Sequence, residues 1–144
     1  MTPQDRAERS AAAMWAHDAA SKALGMQIED IGPGAATLTL TVRPDMLNGH
    51  GICHGGIIFA VADSALAFAS NSYNQLMVAQ MNQITYLAPG QPGEVLSATA
   101  TQTAHAGRTG IYDVTVTGEG GRKIAVFRGH TRAITGQHFD EDAT

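Results

Sequence analysis

Cysteine is nearly absent from this sequence: Cys53 is the only one among 144 residues. A single thiol cannot close an internal disulfide, and it cannot supply a zinc site made of several cysteines. Charged residues are also scarce, at 15%, and nine Lys and Arg against thirteen Asp and Glu leave a formal net charge of −4. Without a broad basic surface, binding to nucleic acid regardless of sequence is not expected.

Long apolar runs are missing as well. The apolar stretch at residues 57–62 is interrupted by Asp63 and is far shorter than a membrane span. Asp5, Glu8 and Asp18 lie among the N-terminal alanines, so this segment lacks the hydrophobic region of a signal peptide. These absences predict a cytoplasmic protein in a reducing compartment that does not associate with a membrane.

The abundant residues predict a folded protein. Hydrophobic residues make up 44% of the chain, and the length suits a single domain over residues 1–144 with a substantial core. Because so few residues are charged, part of the surface is expected to be hidden in a subunit interface.

Periodicity and turn residues divide the chain into two helices and six strands. A helix is predicted over Gln4–Ala23, within an N-terminal segment of about residues 1–24, because Pro3 and Gly25 stand at its two ends. The polar, acidic tail, about residues 136–144, is expected to fray. Alternating residue types and the placement of Gly and Pro predict the remaining elements: strands at 26–31 and 36–42, a helix at about 57–73, and strands at 78–87, 95–103, 109–117 and 123–134.

This order predicts an α+β fold in which one long antiparallel sheet wraps around a central helix, with an extra helix at the N-terminus. The central helix is apolar nearly all round, so it is expected to be buried. Asp63 is its one carboxylate. A buried carboxylate is costly unless it is hydrogen-bonded, so Asp63 is either a general base or nucleophile, or a structural group satisfied by Ser64, Ser70 or a neighbouring chain.

Gly55 and Gly56 stand at the entrance of the same helix. The first turn of a helix has backbone N–H groups without partners and carries partial positive charge, so the glycines are candidates for an oxyanion hole. The alternative is that they only let a loop turn into a helix. Gly55 and Asp63 are eight positions apart, about 12 Å along a helix axis. One helix cannot place both beside the same carbonyl group, whereas two antiparallel helices across a twofold dimer interface can.

The connector before this helix contains further polar residues. Asn48 opens an Asn-Gly turn, and its amide is also able to orient a water molecule or a carboxylate. His50 and His54 have a spacing that metal sites use, but the surrounding glycines argue against a metal. Cys53 is expected to be an inert, packed thiol.

Residues 48–63 read Asn-Gly-His-Gly-Ile-Cys-His-Gly-Gly-Ile-Ile-Phe-Ala-Val-Ala-Asp. This block resembles the hot-dog thioesterase superfamily, specifically the PaaI-type thioesterases of phenylacetate degradation, and the similarity continues at residues 84–89, 107–114 and 125–129. It implies a hot-dog fold, a homodimer with a continuous sheet and a shared active site, and often a dimer of dimers, a homotetramer. It also implies hydrolysis of an acyl- or aryl-acyl-coenzyme A, such as a hydroxylated phenylacetyl-CoA, with no metal and no other cofactor.

The resemblance also assigns roles to residues. Asp63 is expected to attack the thioester or activate water, the Gly55 N–H to polarise the carbonyl with His54 beside it, and Asn48 to help hold the nucleophilic partner. Many relatives carry Ser or Thr on the strand after the helix. This chain has Ala79, Gln80 and Gln83 there, and Gln80 is the candidate substitute.

Four further residues are expected to contact the substrate. Gly56 and Gln80 are predicted to meet the reacting part of the substrate, and Arg108 and Arg128 the phosphates of coenzyme A, if one hairpin gathers the basic residues of the C-terminal third. Solvated strand edges are the alternative. Two other functions stay open: a non-catalytic acyl-CoA-binding protein, and a dehydratase acting on acyl carrier protein, which the Gly55–Asp63 pattern fits poorly.

Overall fold

A six-stranded antiparallel sheet wraps around one central helix in the computed structural model, which describes residues 1–142. The predicted fold class is therefore confirmed. The elements are α1 (Pro3–Trp15), α2 (Ala19–Ala23), β1 (Gln27–Gly32), β2 (Ala35–Thr41), α3 (Gly55–Ser70), β3 (Met77–Tyr86), β4 (Val95–Ala106), β5 (Thr109–Thr117) and β6 (Lys123–Ala133), with short 3-10 turns at Pro44–Met46 and Glu119–Gly121.

The strands are arranged in the order β1-β2-β4-β5-β6-β3, and every pair is antiparallel. β3 directly follows α3 in the chain and forms one edge of the sheet. In the described chain it pairs with β6 on one side and with no strand on the other. Two of its large apolar side chains, Val78 and Met81, are nearly half exposed.

The central helix α3 is buried, as its composition predicts. Val61, Leu66 and Phe68 are at most 1% exposed and pack against alternate residues of the strands, such as Leu38 and Val114. The Thr–aliphatic alternation of β2 places Leu38 in this core and its threonines on the outer face. Because α3 packs tightly against the sheet, each residue of this helix has a fixed position relative to the strands.

The predicted N-terminal helix is in fact two helices. α1 begins with a capping box, in which Thr2 and Asp5 exchange side-chain and backbone hydrogen bonds. It ends at Trp15 because Asp18 caps a second helix: its carboxylate accepts hydrogen bonds from the backbone N–H and the hydroxyl of Ser21. A residue that favours N-caps divides one alanine-rich stretch in two.

The C-terminal segment is attached rather than frayed over residues 136–142. Asn74 accepts hydrogen bonds from the backbone N–H groups of His138 and Phe139 and donates to the Phe139 carbonyl oxygen. Glu141 forms an ion pair with Arg6 of α1, at 2.6 Å. These long-range contacts are not visible in a polar tail sequence, and residues 143 and 144 of the predicted tail lie outside the described residues.

Glu94, which precedes β4, is only 3% exposed and holds two loops together. Its carboxylate accepts hydrogen bonds from the backbone N–H groups of Gln91 and Glu119 and from the Arg122 guanidinium, at 2.8–2.9 Å. Burial alone raises the pKa of this carboxyl, but these donors outweigh it and hold the pKa below its ordinary value. The charged form is thus the one that the fold stabilises.

We expect Glu94→Gln to lower the free energy of unfolding by on the order of 2 kcal/mol at neutral pH, because a neutral amide meets donors arranged for a carboxylate. Since the folded pKa of Glu94 is lowered, its stabilisation is complete above its ordinary pKa and is lost as the pH falls through the folded value. Urea unfolding at several pH values measures this, with the exposed Glu119→Gln as control. The prediction is contradicted if the difference in the free energy of unfolding between Glu94→Gln and wild type stays the same as the pH is lowered.

Candidate active site

The beginning of α3 exposes one free backbone donor. His54 is the N-cap, and its Nδ1 accepts a hydrogen bond from the Gly56 N–H at 2.9 Å. A neutral His54 therefore carries its proton on Nε2. The Gly55 N–H makes no hydrogen bond within residues 1–142. Of the two glycines, Gly55 is the one whose donor is available to a ligand oxygen, while the predicted substrate contact of Gly56 gains no support from its occupied N–H.

Tyr86 packs closely against the backbone at Gly55. The Tyr86 hydroxyl donates a hydrogen bond to the Gly55 carbonyl oxygen at 2.8 Å, and its ring fills the space beside the helix. A Cβ atom on residue 55 would lie 3.1 Å from the ring and the hydroxyl oxygen. Tyr86 lies 31 residues away in sequence, so only its position at the end of a strand marks it in advance.

Asn48 lies beside this donor. Its Oδ1 accepts hydrogen bonds from the backbone N–H groups of His50 and Ile52, which fixes the connector before α3. The turn function of Asn48 is thus present. Asn48 also lines, with Gly55 and Tyr86, an open cavity of about 400 Å³. The structure therefore places Asn48 and Gly55 at one cavity, while the His54 side chain caps the helix and does not line this cavity.

Asp63 is half-buried in the middle of α3. Its Oδ1 accepts a hydrogen bond from the Asn82 Nδ2 at 2.9 Å. The two serines considered as partners bond elsewhere: Ser64 to Ser21, and Ser70 to a carbonyl of its own helix. Burial raises the pKa of the Asp63 carboxyl above its ordinary value, and the hydrogen bond from Asn82 acts in the opposite direction. Asp63 is a carboxylate in a partly desolvated setting, as a base or nucleophile requires.

Asn82 was not among the predicted residues because β3 contains a bulge. Ala79 pairs with Thr131 and Met81 with His130, so Gln80 has no partner in the ladder. The extra residue shifts the alternation of the strand by one, and Asn82, instead of Met81, faces the helix. Gln80 itself is exposed in the bulge and makes no side-chain contact with Asp63 in the described part of the chain.

Within one protomer the two predicted reactive groups do not meet. Gly55 and Asp63 lie on the same helix, eight residues and about 12 Å apart. They face different cavities: Asp63 borders one of about 110 Å³, lined on the strand side by Met77 and Ala79, whereas Gly55 borders the cavity at Asn48. One protomer therefore does not place both groups beside the same carbonyl group.

The basic residues of the C-terminal third are not gathered. Arg128 is on the outer face of β6, where it forms an ion pair with Asp113 at 2.6 Å. Arg108 is in the β4–β5 turn and lines a cavity of about 600 Å³ near the C-terminal end of α3. Arg122 is at the opposite end of the β5–β6 hairpin, and the nine residues of β5 between these ends span about 30 Å. A single phosphate cluster of the predicted kind is not present in one protomer.

The structure gives no support for a reactive thiol, a metal site or a membrane-spanning helix in the part of the chain that it describes. Cys53 is buried, and burial raises the pKa of its thiol to about 11, so little thiolate forms at neutral pH. Among the residues that the structure describes, no three His, Cys, Asp or Glu side chains lie close enough together to hold a metal ion. No helix of the described chain is long and apolar enough to cross a membrane.

Comparison with known proteins identifies the family. The sequence-family model described as the thioesterase superfamily matches residues 50–125. The chain is also 43% identical over 132 residues to the acyl-coenzyme A thioesterase PaaI of Escherichia coli strain K12, covering 91% of this chain and 94% of that protein. The chain belongs to the thioesterase superfamily.

Similar solved structures support the same family. The E. coli PaaI protein from the phenylacetic acid degradation operon matches with a TM-score of 0.93 at 40% identity, covering 94% of this chain and 99% of that one. A hypothetical thioesterase with coenzyme A from Streptococcus pneumoniae TIGR4 matches at 0.74 and 27% identity, covering 78% and 90%. The predicted PaaI-type family, hot-dog fold and hydrolase class are confirmed; the roles of the individual residues stay predictions.

The free Gly55 N–H gives a sharp test. We expect Gly55→Pro to lower the rate of thioester hydrolysis by on the order of 10²–10³-fold relative to Gly55→Ala, because proline removes the oxyanion donor and alanine keeps it. Proline suits the first position of a helix, and the His54 backbone (φ −59°, ψ 134°) is compatible with a following proline. Both variants place a Cβ against Tyr86, so this contact is common to them. Equal rates for the two, measured as loss of thioester absorbance, would contradict the role.

Proposed function

We propose that this thioesterase hydrolyses acyl-coenzyme A thioesters whose acyl part is an aryl-acetyl group, such as phenylacetyl or a hydroxylated phenylacetyl group. The observation that carries the proposal is the pairing, on one helix, of a free amide donor at Gly55 with a half-buried carboxylate at Asp63. The similarity to a PaaI protein of a phenylacetic acid degradation operon supports the acyl class, and the neighbour solved with coenzyme A supports that part of the substrate.

The two groups act together only if two protomers share the site. We infer a homodimer in which Gly55 of one protomer and Asp63 of its partner approach the same carbonyl group from antiparallel α3 helices. The edge strand β3 supports this arrangement, because its outer side is unpaired in the described chain and its apolar side chains are exposed. Association of two dimers into a tetramer and a cytoplasmic location belong to the same proposal, as the resemblance and the composition imply.

The reaction needs little machinery. The Gly55 N–H stabilises the negative charge that develops on the carbonyl oxygen. Either Asp63 attacks the carbonyl carbon itself, or it takes a proton from a water molecule that attacks. The C–S bond then breaks and the thiolate of coenzyme A leaves, and a thiolate needs no strong general acid because a thiol is far more acidic than an amine. If Asp63 attacks, the mixed anhydride that forms is hydrolysed by water, which releases the free acid and regenerates the carboxylate. If water attacks, its oxygen passes directly into the free acid. Coenzyme A enters only as part of the substrate, with no separate cofactor.

We expect Asp63→Asn to leave a folded oligomer in which thioester hydrolysis falls by at least about 10³-fold, because the amide is neither a base nor a nucleophile. The measurement is thiol release over a panel of aryl-acetyl-, benzoyl- and medium-chain acyl-CoAs, with phenylacetyl-CoA expected among the best substrates. Asp30→Asn, in the exposed strand β1, is the control for loss of one carboxylate.

Two results would contradict the proposal. Retention of most activity by Asp63→Asn would remove Asp63 from the mechanism. A wild-type protein that binds acyl-CoA over the whole panel and releases no thiol would instead be a non-catalytic binding protein.

A further inference from the structure

We propose that Asn82 is the positioning residue for Asp63, holding one carboxylate oxygen so that the other faces the reacting group. This inference builds on the proposed function, since it assigns the residue that keeps the reactive carboxylate in place. Asn82 is not a catalytic residue in this scheme: its contact is with Asp63, not with substrate. Four observations carry the inference.

The first is the asymmetry of the Asp63 carboxylate. Its Oδ1 accepts the hydrogen bond from the Asn82 Nδ2 at 2.9 Å. Its Oδ2 has no hydrogen-bond partner within residues 1–142 and is still accessible to solvent. One oxygen is thus anchored, and the other is open to a ligand or water. A carboxylate held at one oxygen keeps a single direction of approach, which the reaction requires.

The second is the setting of the Asn82 side chain. Its Oδ1 is buried and has no partner in the described part of the chain. A buried, unpaired amide oxygen costs roughly as much as a lost hydrogen bond, so a purely structural role would be better served by an apolar residue. The Nδ2 hydrogen bond to Asp63 is the one contact that an apolar side chain could not make.

The third is the space that β6 leaves for this amide. Asn82 pairs with Gly129 in the ladder. A Cβ atom on residue 129 would lie 2.8 Å from the Asn82 Oδ1 and would overlap the side chain of Leu66. The absence of a side chain at Gly129 therefore lets the amide lie flat against the strand and reach the helix.

The fourth is the absence of any competing charge. The side chains that line the cavity at Asp63 or bond to its carboxylate are uncharged: Met77, Ala79 and Asn82 of β3, Thr131 of β6, and Leu66, Ala67 and Ser70 of α3 itself. No cation faces Asp63 within residues 1–142, and burial disfavours its ionised form. The Asn82 donor is the side-chain contact that favours the carboxylate over the carboxylic acid.

The test is the pH dependence of hydrolysis in Asn82→Leu, which keeps the branching at Cγ but has no donor, and in Asn82→Asp, which replaces the donor by a second carboxylate. Gln27→Leu is the matched control, since it also changes an amide to leucine but at an exposed position of β1, at the opposite edge of the sheet. The readout is the loss of thioester absorbance with phenylacetyl-CoA, which does not depend on thiol ionisation.

We expect Asn82→Leu to lower kcat at pH 7 by about 10- to 100-fold with KM little changed, because the carboxylate loses its fixed direction. The acid limb of kcat/KM should move up by about one pH unit, because the group that favours the ionised form is gone. In Asn82→Asp the shift should be larger, since two adjacent carboxyls share one proton. Gln27→Leu should leave the acid limb and the rate unchanged.

A carboxyl ¹³C titration of Asp63 by NMR reads the same shift without substrate, and Asn82→Ser serves if the leucine variant does not fold. The assignment of Asn82 would be overturned if the acid limb and the Asp63 titration stayed at their wild-type pH in the Asn82 variants. The proposed function would still stand in that case, provided that the wild-type enzyme is active and Asp63→Asn is not. A wild-type protein that hydrolyses no acyl-CoA would overturn both.

Discussion

The distance between two groups on one rigid helix constrains everything else in this molecule. Gly55 offers a free N–H at the first turn of α3, and Asp63 offers a carboxylate two turns later, about 12 Å away. A single carbonyl group has to lie about 3 Å from both its donor and its attacking group. Because α3 is the buried axis of the sheet, it cannot bend to bring its own residues together. In the function that we propose, a second copy of the helix supplies one of them.

The edge strand β3 connects these requirements. Its last residue, Tyr86, holds the Gly55 carbonyl, and Asn82 holds the Asp63 carboxylate, so one strand fixes both functional parts of the helix. The outer side of the same strand carries exposed apolar side chains. In the proposed dimer this strand also forms the interface, so the position of one protomer affects the site of the other. The bulge at Gln80 makes this dual role compatible with the alternation of a strand.

Local patterns in the sequence are sufficient to predict most of the fold. The Thr–aliphatic alternation of β2 and the apolar composition of α3 specify which faces are buried, and the block from Asn48 to Asp63 marks the family. Features that depend on contacts between distant residues are not predictable in this way. Asp18 is one polar residue among many until it caps α2, and the ties of Asn74 to the C-terminal segment span more than sixty residues.

The candidate site shows the same division. Gly55, Asn48, His54 and Asp63 could be selected because they lie in one short segment with a spacing that has physical meaning. Asn82 could not, because one unpaired residue in the β3–β6 ladder reverses which side chains face the helix. The arginines expected to meet phosphates are separated by the length of a strand, since Arg108 precedes β5 and Arg122 follows it. Asp113 already neutralises Arg128.

The sharing of one site by two protomers is tested most directly by mixing two inactive variants, Asp63→Asn and Gly55→Pro, under conditions in which subunits exchange. In a hybrid dimer one site contains both substitutions and the other contains neither. Random pairing should therefore restore about one quarter of the wild-type activity. Mixtures that stay as inactive as the separate variants, although hybrid dimers are present by native mass spectrometry, would contradict the shared site.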